Sequence, residues 1–139
     1  MSGARVTAGL RSMLPSGAQS TFLVVLEGLF PPGEKILLKP DLLHGLEPDR
    51  CVTTRPAVVA AIARLLVEHG CRVLIADSPG GGVIYSEANL RRAYARAGYM
   101  AATEETGAAL NYDTGSSSVS FPEGAVMRQF SIITPGRGG

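Results

Sequence analysis

Two short apolar runs, each cut off by a charged residue and a proline, constrain this chain more than anything else in it. Ile36-Leu37-Leu38 stops at Lys39-Pro40-Asp41. Arg72-Val73-Leu74-Ile75-Ala76 stops at Asp77-Ser78-Pro79, followed by Gly80, Gly81 and Gly82. Runs this short, bounded by turn formers, have the length of strands. Between them, from Pro56 to His69, Val59, Ile62 and Leu66, with Val58 and Leu65 beside them, repeat at helical spacing. Strand, helix, strand over this distance is a βαβ crossover at residues 35–77, which requires a parallel sheet. The expected class is α/β, a three-layer Rossmann-like sheet that is parallel or mixed. Such sheets take ligands at the carboxyl ends of their strands, where Asp41 and Asp77 fall.

The rest of the pattern adds elements around this unit. Helices are expected at residues 4–14 and from Ser20 or Thr21 through Phe30, stopped by Pro31-Pro32-Gly33. Thr53 or Thr54 is expected to cap the crossover helix, with Pro56 in its first turn and Gly70 as its left-handed terminator. Ser86 caps a further helix ending at Gly98, and a short one over 100–106 ends at Gly107. A strand is expected at 108–112, then strands at 119–121 and 126–133 around Pro122-Glu123-Gly124. The loop from Pro40 to Thr53 is long for a βα connection. It reads as a solvated surface loop or as a functional one.

Length and composition bound the function. The chain of 139 residues reads as one α/β domain with a disordered tail at 135–139. A formal net charge of +1 gives no electrostatic case for nucleic acid or an anionic membrane. Phe22 to Phe30 is too short to span a bilayer. Cys51 and Cys71, the two cysteines, form no C-x-x-C pair and cannot ligate an iron–sulfur cluster, so no cofactor is expected in this chain. Two unpaired thiols with no secretion signal fit a reducing cytoplasm.

The nucleotide motifs fail on their residues. Tyr85 stands where G-x-G-x-x-G needs its third glycine, and no Gly-Lys-Ser/Thr follows as a P-loop requires. G-x-S-x-G is absent, and two histidines give a Ser-His-Asp triad little support. What remains is a set that a βαβ unit can gather at one crevice: Lys39, Asp41, Thr54, Arg55, Asp77, Ser78, Gly80 and Gly81. Arg55 at a helix start suits a carboxylate or phosphate, so the expected partner is a small anionic molecule. Asp41, His44 and Asp77 are the weak candidates for a metal, a mixed oxygen and nitrogen set.

Lys39-Pro40-Asp41-Leu42-Leu43, then Val52-Thr53-Thr54-Arg55-Pro56, Gly70, and Val73 to Gly80 together resemble the family called domain of unknown function 362. Members commonly read Lys-Pro-Asn, Thr-His-Pro and Asp-Ser-Pro-Gly in this order. The resemblance covers about residues 30–133. It implies kinship with proteins often fused to ferredoxin modules carrying 4Fe-4S clusters, hence redox or radical-related roles. Asp41 replaces the usual asparagine and Arg55 the usual histidine. A Lys-x-Lys-x-His motif, expected further on from the resemblance, is not in this sequence, which implies the N-terminal portion of a longer family unit: a fragment, a truncated reading frame, or a subunit whose partner is a second copy (a homodimer) or a chain that supplies the missing region. Thr54-Arg55-Pro56 is also similar to a segment of nickel-dependent lactate racemases, which implies a hydroxy-acid-like substrate. A third expectation is a structural fragment that docks through Phe22 to Phe30 or the strand at 126–133.

Overall fold

The computed structural model describes residues 28–80 and 82–133. The helix expected at 4–14, nearly all of the one ending at Phe30, Gly81 and the tail at 135–139 lie outside the described residues. Three strands, β1 (Lys35–Leu38), β2 (Arg72–Ile75) and β3 (Ala109–Leu110), form a parallel sheet in the order β1-β2-β3. Helix α1 (Pro56–Glu68) joins β1 to β2, while α2 (Glu87–Ala97) and α3 (Tyr99–Thr106) join β2 to β3. The expected α/β class and its crossover at 35–77 are therefore what the chain forms. Among the described residues antiparallel pairing is confined to a separate hairpin, β4 (Ser116–Ser120) with β5 (Gln129–Ile133).

Strands β1 and β2 pair in register from Lys35 with Arg72 to Leu38 with Ile75. The ladder runs one bond further, from Ala76 N–H to the Leu38 carbonyl at 3.0 Å. Both strands therefore end together, and Lys39 and Asp77 emerge side by side. With strands laid down in chain order, two right-handed crossovers return on the same face. Packing of α1 against α3 fits that arrangement. Between helices and sheet lie Val59, Ala63, Leu66, Val73, Ile75, Leu90, Ala93, Ala97 and Tyr99. Each large aliphatic side chain buried there is worth about 1.5–3 kcal/mol.

The helix boundaries follow local chemistry, with one correction. Ser86 accepts from the Asn89 N–H at 3.4 Å and caps α2 as expected. Gly70, Gly98 and Gly107 all adopt positive φ at the expected helix ends. The start of α1 differs. Its N-cap is Arg55, with no side-chain cap, because the Thr54 hydroxyl is turned away to the Asp41 N–H. The apolar stripe of α1 is also wider than the surface it covers, leaving Val58 and Ile62 50% and 46% exposed.

Strand lengths depart from expectation for physical reasons. β3 has two residues rather than five because Asn111 turns back on itself, its side chain bonding the Asp113 carbonyl at 2.9 Å and accepting from the Asp113 N–H at 3.3 Å. β4 starts early, at Ser116, since cross-strand bonds to β5 hold a serine run of poor strand propensity. β5 starts late, at Gln129, because the turn extends to Met127: a Cβ on Gly124 would lie 2.1 Å from the Met127 carbonyl oxygen.

Candidate functional site at the carboxyl edge of the sheet

The loop from Pro40 to Arg55 does not lie loosely over the surface. Leu42 is wholly buried in the core, and Gly45 sits so close to α2 that a Cβ there would meet the Ala93 Cα at 2.4 Å. Glu47 accepts from Arg96 of α2 at 3.0–3.2 Å. The Glu47 carboxyl is held below the usual carboxylate range by its own backbone N–H first and Arg96 second. Pro48 and Pro56 both close on Gly98, between α2 and α3.

The base of this loop is clasped shut. Thr54 N–H donates to the Asp41 carbonyl at 2.9 Å, and Asp41 N–H donates to the Thr54 hydroxyl at 3.0 Å. Tyr99 reaches up from α3 and donates to the Thr54 carbonyl at 2.7 Å. The second corner is tied to the first. Gly80 N–H donates to the Leu43 carbonyl at 2.7 Å, and Leu42 N–H donates to Asp77 Oδ2 at 2.8 Å. The other oxygen of Asp77 forms an ion pair with Lys39 Nζ. The lysine-proline-aspartate and aspartate-serine-proline corners thus open on one rim, joined by direct bonds.

Each sequence-derived site residue except Gly81 has a described place at or near that rim. Asp77 is buried, bonded to the Leu42 N–H and paired with Lys39, while the Lys39 side chain it holds is 69% exposed. That hydrogen bond, more than the surrounding carboxylate charges of Asp77 and Asp41, raises the Lys39 ammonium above its usual 10.5. Asp41, Arg55, Ser78 and His44 are exposed. Thr54 spends its hydroxyl and amide within the clasp, and Gly80 spends its amide on Leu43. The helix start offers few free amides, since Pro56 has none and those of Val58 and Val59 bond back to the Arg55 carbonyl at 3.0 and 3.3 Å. An anion here would be met chiefly by side chains. Gly81 lies outside the described residues. Asp41, His44 and Asp77 do not come together as metal ligands: among the described residues no group of three His, Cys, Asp or Glu could hold an ion.

The sequence pattern did not mark the tyrosines beneath the rim. Tyr94 and Tyr99 are wholly buried, with ring centroids 6.3 Å apart. Tyr112 packs edge-on against Tyr94 at 5.8 Å and is covered by the Arg91 guanidinium at 4.1 Å. The one available signal was two large rings among the alanines of 93–102. The Tyr94 hydroxyl comes near the Asp77 backbone but finds no partner of hydrogen-bond geometry among the described residues.

Burial pushes the hydroxyls of both Tyr94 and Tyr99 up from the usual 10.0 to about 12. Between those two values the unfolded tyrosines ionise while the folded ones stay neutral, so the folded state holds more protons. Stability from these rings is complete below pH 10 and is lost as pH rises toward 12. Lys39, whose folded value is also raised, loses its contribution in the same direction. Urea unfolding followed from neutral to alkaline pH is expected to show a steep fall above about pH 10. Tyr94→Phe is expected to be neutral or slightly stabilising at pH 7, because its hydroxyl is unpaired, and to fall less steeply in alkali. Parallel curves for the two proteins would contradict this account.

A family model described as a domain of unknown function, DUF362, matches residues 36–136, which take in the sheet, the clasped loop and the hairpin. The chain belongs to the DUF362 family. It is 43% identical over 76 residues to the thylakoid-associated protein sll1697 of Synechocystis sp. (strain ATCC 27184 / PCC 6803 / Kazusa). That alignment covers 54% of this chain and 22% of the relative, so the chain spans about a fifth of the length of the curated relative it matches. No solved structure matches. Within DUF362, both corners of the rim fall inside the matched region. Among the described residues no helix is long and apolar enough to cross a membrane.

Proposed function

We propose that the rim binds a small anionic molecule, with Lys39 and Arg55 as its cationic contacts. The observation that carries this reading is the fixing of a mostly exposed ammonium by a buried carboxylate. Asp77 anchors Lys39 from below, and the Asp41–Thr54 clasp brings Arg55 to the same end of the sheet. A cation held in place before binding loses little side-chain freedom when a ligand arrives. The carboxylate of Asp41 lies on the same rim and repels a bare anion. The best fit is therefore a carboxylate or phosphate that also carries a hydroxyl, its anionic end on Arg55 and Lys39 and its hydroxyl on Asp41 or Ser78. A hydroxy acid has this chemistry.

Thermal shift and calorimetry with simple carboxylates, hydroxy acids and inorganic phosphate test the proposal. At least one hydroxy acid or phosphate is expected to raise the melting temperature in a concentration-dependent way. Arg55→Ala is expected to weaken that binding by about tenfold or more, as loss of a charge-assisted contact does. It should leave the unliganded protein's stability nearly unchanged, since the only described side-chain partner of Arg55 is the Cys51 sulfur at 3.9 Å. An equal response from both proteins, or none from the whole panel, would end the proposal. We further propose a cytoplasmic location, with which two cysteines left unpaired are compatible. A thylakoid surface, from the relative's name, is the other location, and cell fractionation separates them.

A further inference from the structure

The described residues leave one flank of α1 uncovered. Toward α3, Arg64 pairs with Glu105 at 3.2 Å, and a Cβ on Gly107 would lie 3.9 Å from the Val67 side chain. Val59, Ala63 and Leu66 are buried in the core. Val58, Ile62 and Leu65 recur at i, i+4 and i+7 on the side turned away from α3. Val58 and Ile62 are 50% and 46% exposed, and Leu65 is half-buried. At the end of this stripe the His69 Nε2 is buried and has no hydrogen-bond partner among the described residues.

The chain enters the sheet at the foot of this flank. Cys71 Sγ donates to the Phe30 and Pro31 carbonyls at 3.7 Å, and Gly33 N–H donates to the Gly70 carbonyl at 2.9 Å. Residues 30–33 are thus tied to the C-terminal end of α1, with Phe30 packed against the core and Gly28 and Leu29 in helical conformation. The sequence just before them, Phe22-Leu23-Val24-Val25-Leu26-Glu27, is five apolar residues and one acid. Continued back from Leu29 at helical spacing, Leu23 and Leu26 share a side with Phe30. As a helix, residues 21–29 rise about 12 Å, and the stripe from Val58 to Leu65 spans about 10 Å. Glu27 is the one acid in residues 1–27, and it falls one turn before Phe30, at the end of the stripe where His69 is buried. A foreign partner or a second copy must bring a matching face from solution, whereas this segment is covalently held beside the flank.

We propose that residues 21–29 pack as a helix along the Val58–Ile62–Leu65 flank of α1, parallel to it and in the same layer. The contact does not involve the ligand rim, so it is independent of the function argued above. Amide hydrogen exchange of the full chain, read by mass spectrometry, tests it. In the wild type, peptides within 21–29 are expected to exchange at least tenfold more slowly than an unstructured chain, at every protein concentration. Val58→Asp with Ile62→Asp, at half-exposed positions, is expected to remove that protection. Peptides from β2 and from α2 should stay protected in the variant, which shows that the core is intact. Leu37→Asp is the control: Leu37 pairs with Leu74 on the opposite face of the sheet and is 50% exposed. It is expected to leave residues 21–29 protected. An unprotected segment in the wild type overturns the proposal. So does protection that survives the α1 variant, which puts the segment elsewhere, or protection that grows with protein concentration, which assigns it to a second copy.

Discussion

Gly45→Ala is expected to be a strongly damaging addition of a single methyl group. Gly45 has φ of +59°, and its new Cβ would lie 2.4 Å from both the Cα and the Cβ of Ala93 and 2.7 Å from the Ala93 carbonyl oxygen. The obstacle is helix backbone, which cannot rotate aside as a flexible side chain can. Either the 40–55 loop lifts off α2 or the helix shifts, and both outcomes pull Leu42 from the core. Overpacking of this kind costs about 1–3 kcal/mol and more when backbone must move, and the left-handed conformation adds about 1 kcal/mol. A loss of about 3–4 kcal/mol is expected, read as a fall of roughly 10 °C in melting temperature. Gly82→Ala is the control. Gly82 also has positive φ, at +84°, but its Cβ would meet nothing within 4 Å, so conformational strain alone is expected there. Equal losses at the two positions would show that the close approach to Ala93 carries no weight.

Asp77→Ala is expected to have the second largest effect. The carboxylate is buried, accepts from the Leu42 N–H at 2.8 Å and pairs with Lys39. Removing it leaves a buried amide without an acceptor, which costs about 1–3 kcal/mol. The Lys39 ammonium, largely exposed, returns to water, so its share is small. A total of about 2–3 kcal/mol is expected in urea unfolding at neutral pH. Asp77→Asn keeps an oxygen for Leu42 and gives up only the charge, so it is expected to recover at least half of the loss. If Asn is as damaging as Ala, the ion pair rather than the Leu42 bond holds the two corners together. Lys39 is expected to lose its fixed position in both variants.

The parts of this fold that were legible in the sequence are those set by short-range chemistry. The two strand ends, the crossover helix, the Ser86 cap and the glycine terminators at 70, 98 and 107 all follow from residue type at a given spacing. The meeting of the Lys39 and Asp77 corners was also legible, because parallel pairing with matched ends leaves no other arrangement. Tertiary competition defeated the rest. Thr54 has the chemistry of a helix cap, but its hydroxyl serves the loop because Asp41 N–H comes within reach once the strands have paired. The serines of β4 form a strand because β5 pairs with them along the whole of Ser116–Ser120. At the site, residue types were readable and their availability was not. Asp77 looked like a ligand-binding carboxylate and is a buried anchor, whereas Tyr94, invisible to motif reasoning, lies directly beneath it.

The stitching of the 40–55 loop has a consequence for how this surface would select the ligand proposed above. A flap that swings shut can mould itself to many guests and tests each by whether closure succeeds. Here Gly45 against Ala93, Glu47 on Arg96 and the Asp41–Thr54 clasp tie the loop down at its middle and its base. A ligand bound as proposed above would meet a doorway of fixed outline, and its admission would turn on size and charge at first contact.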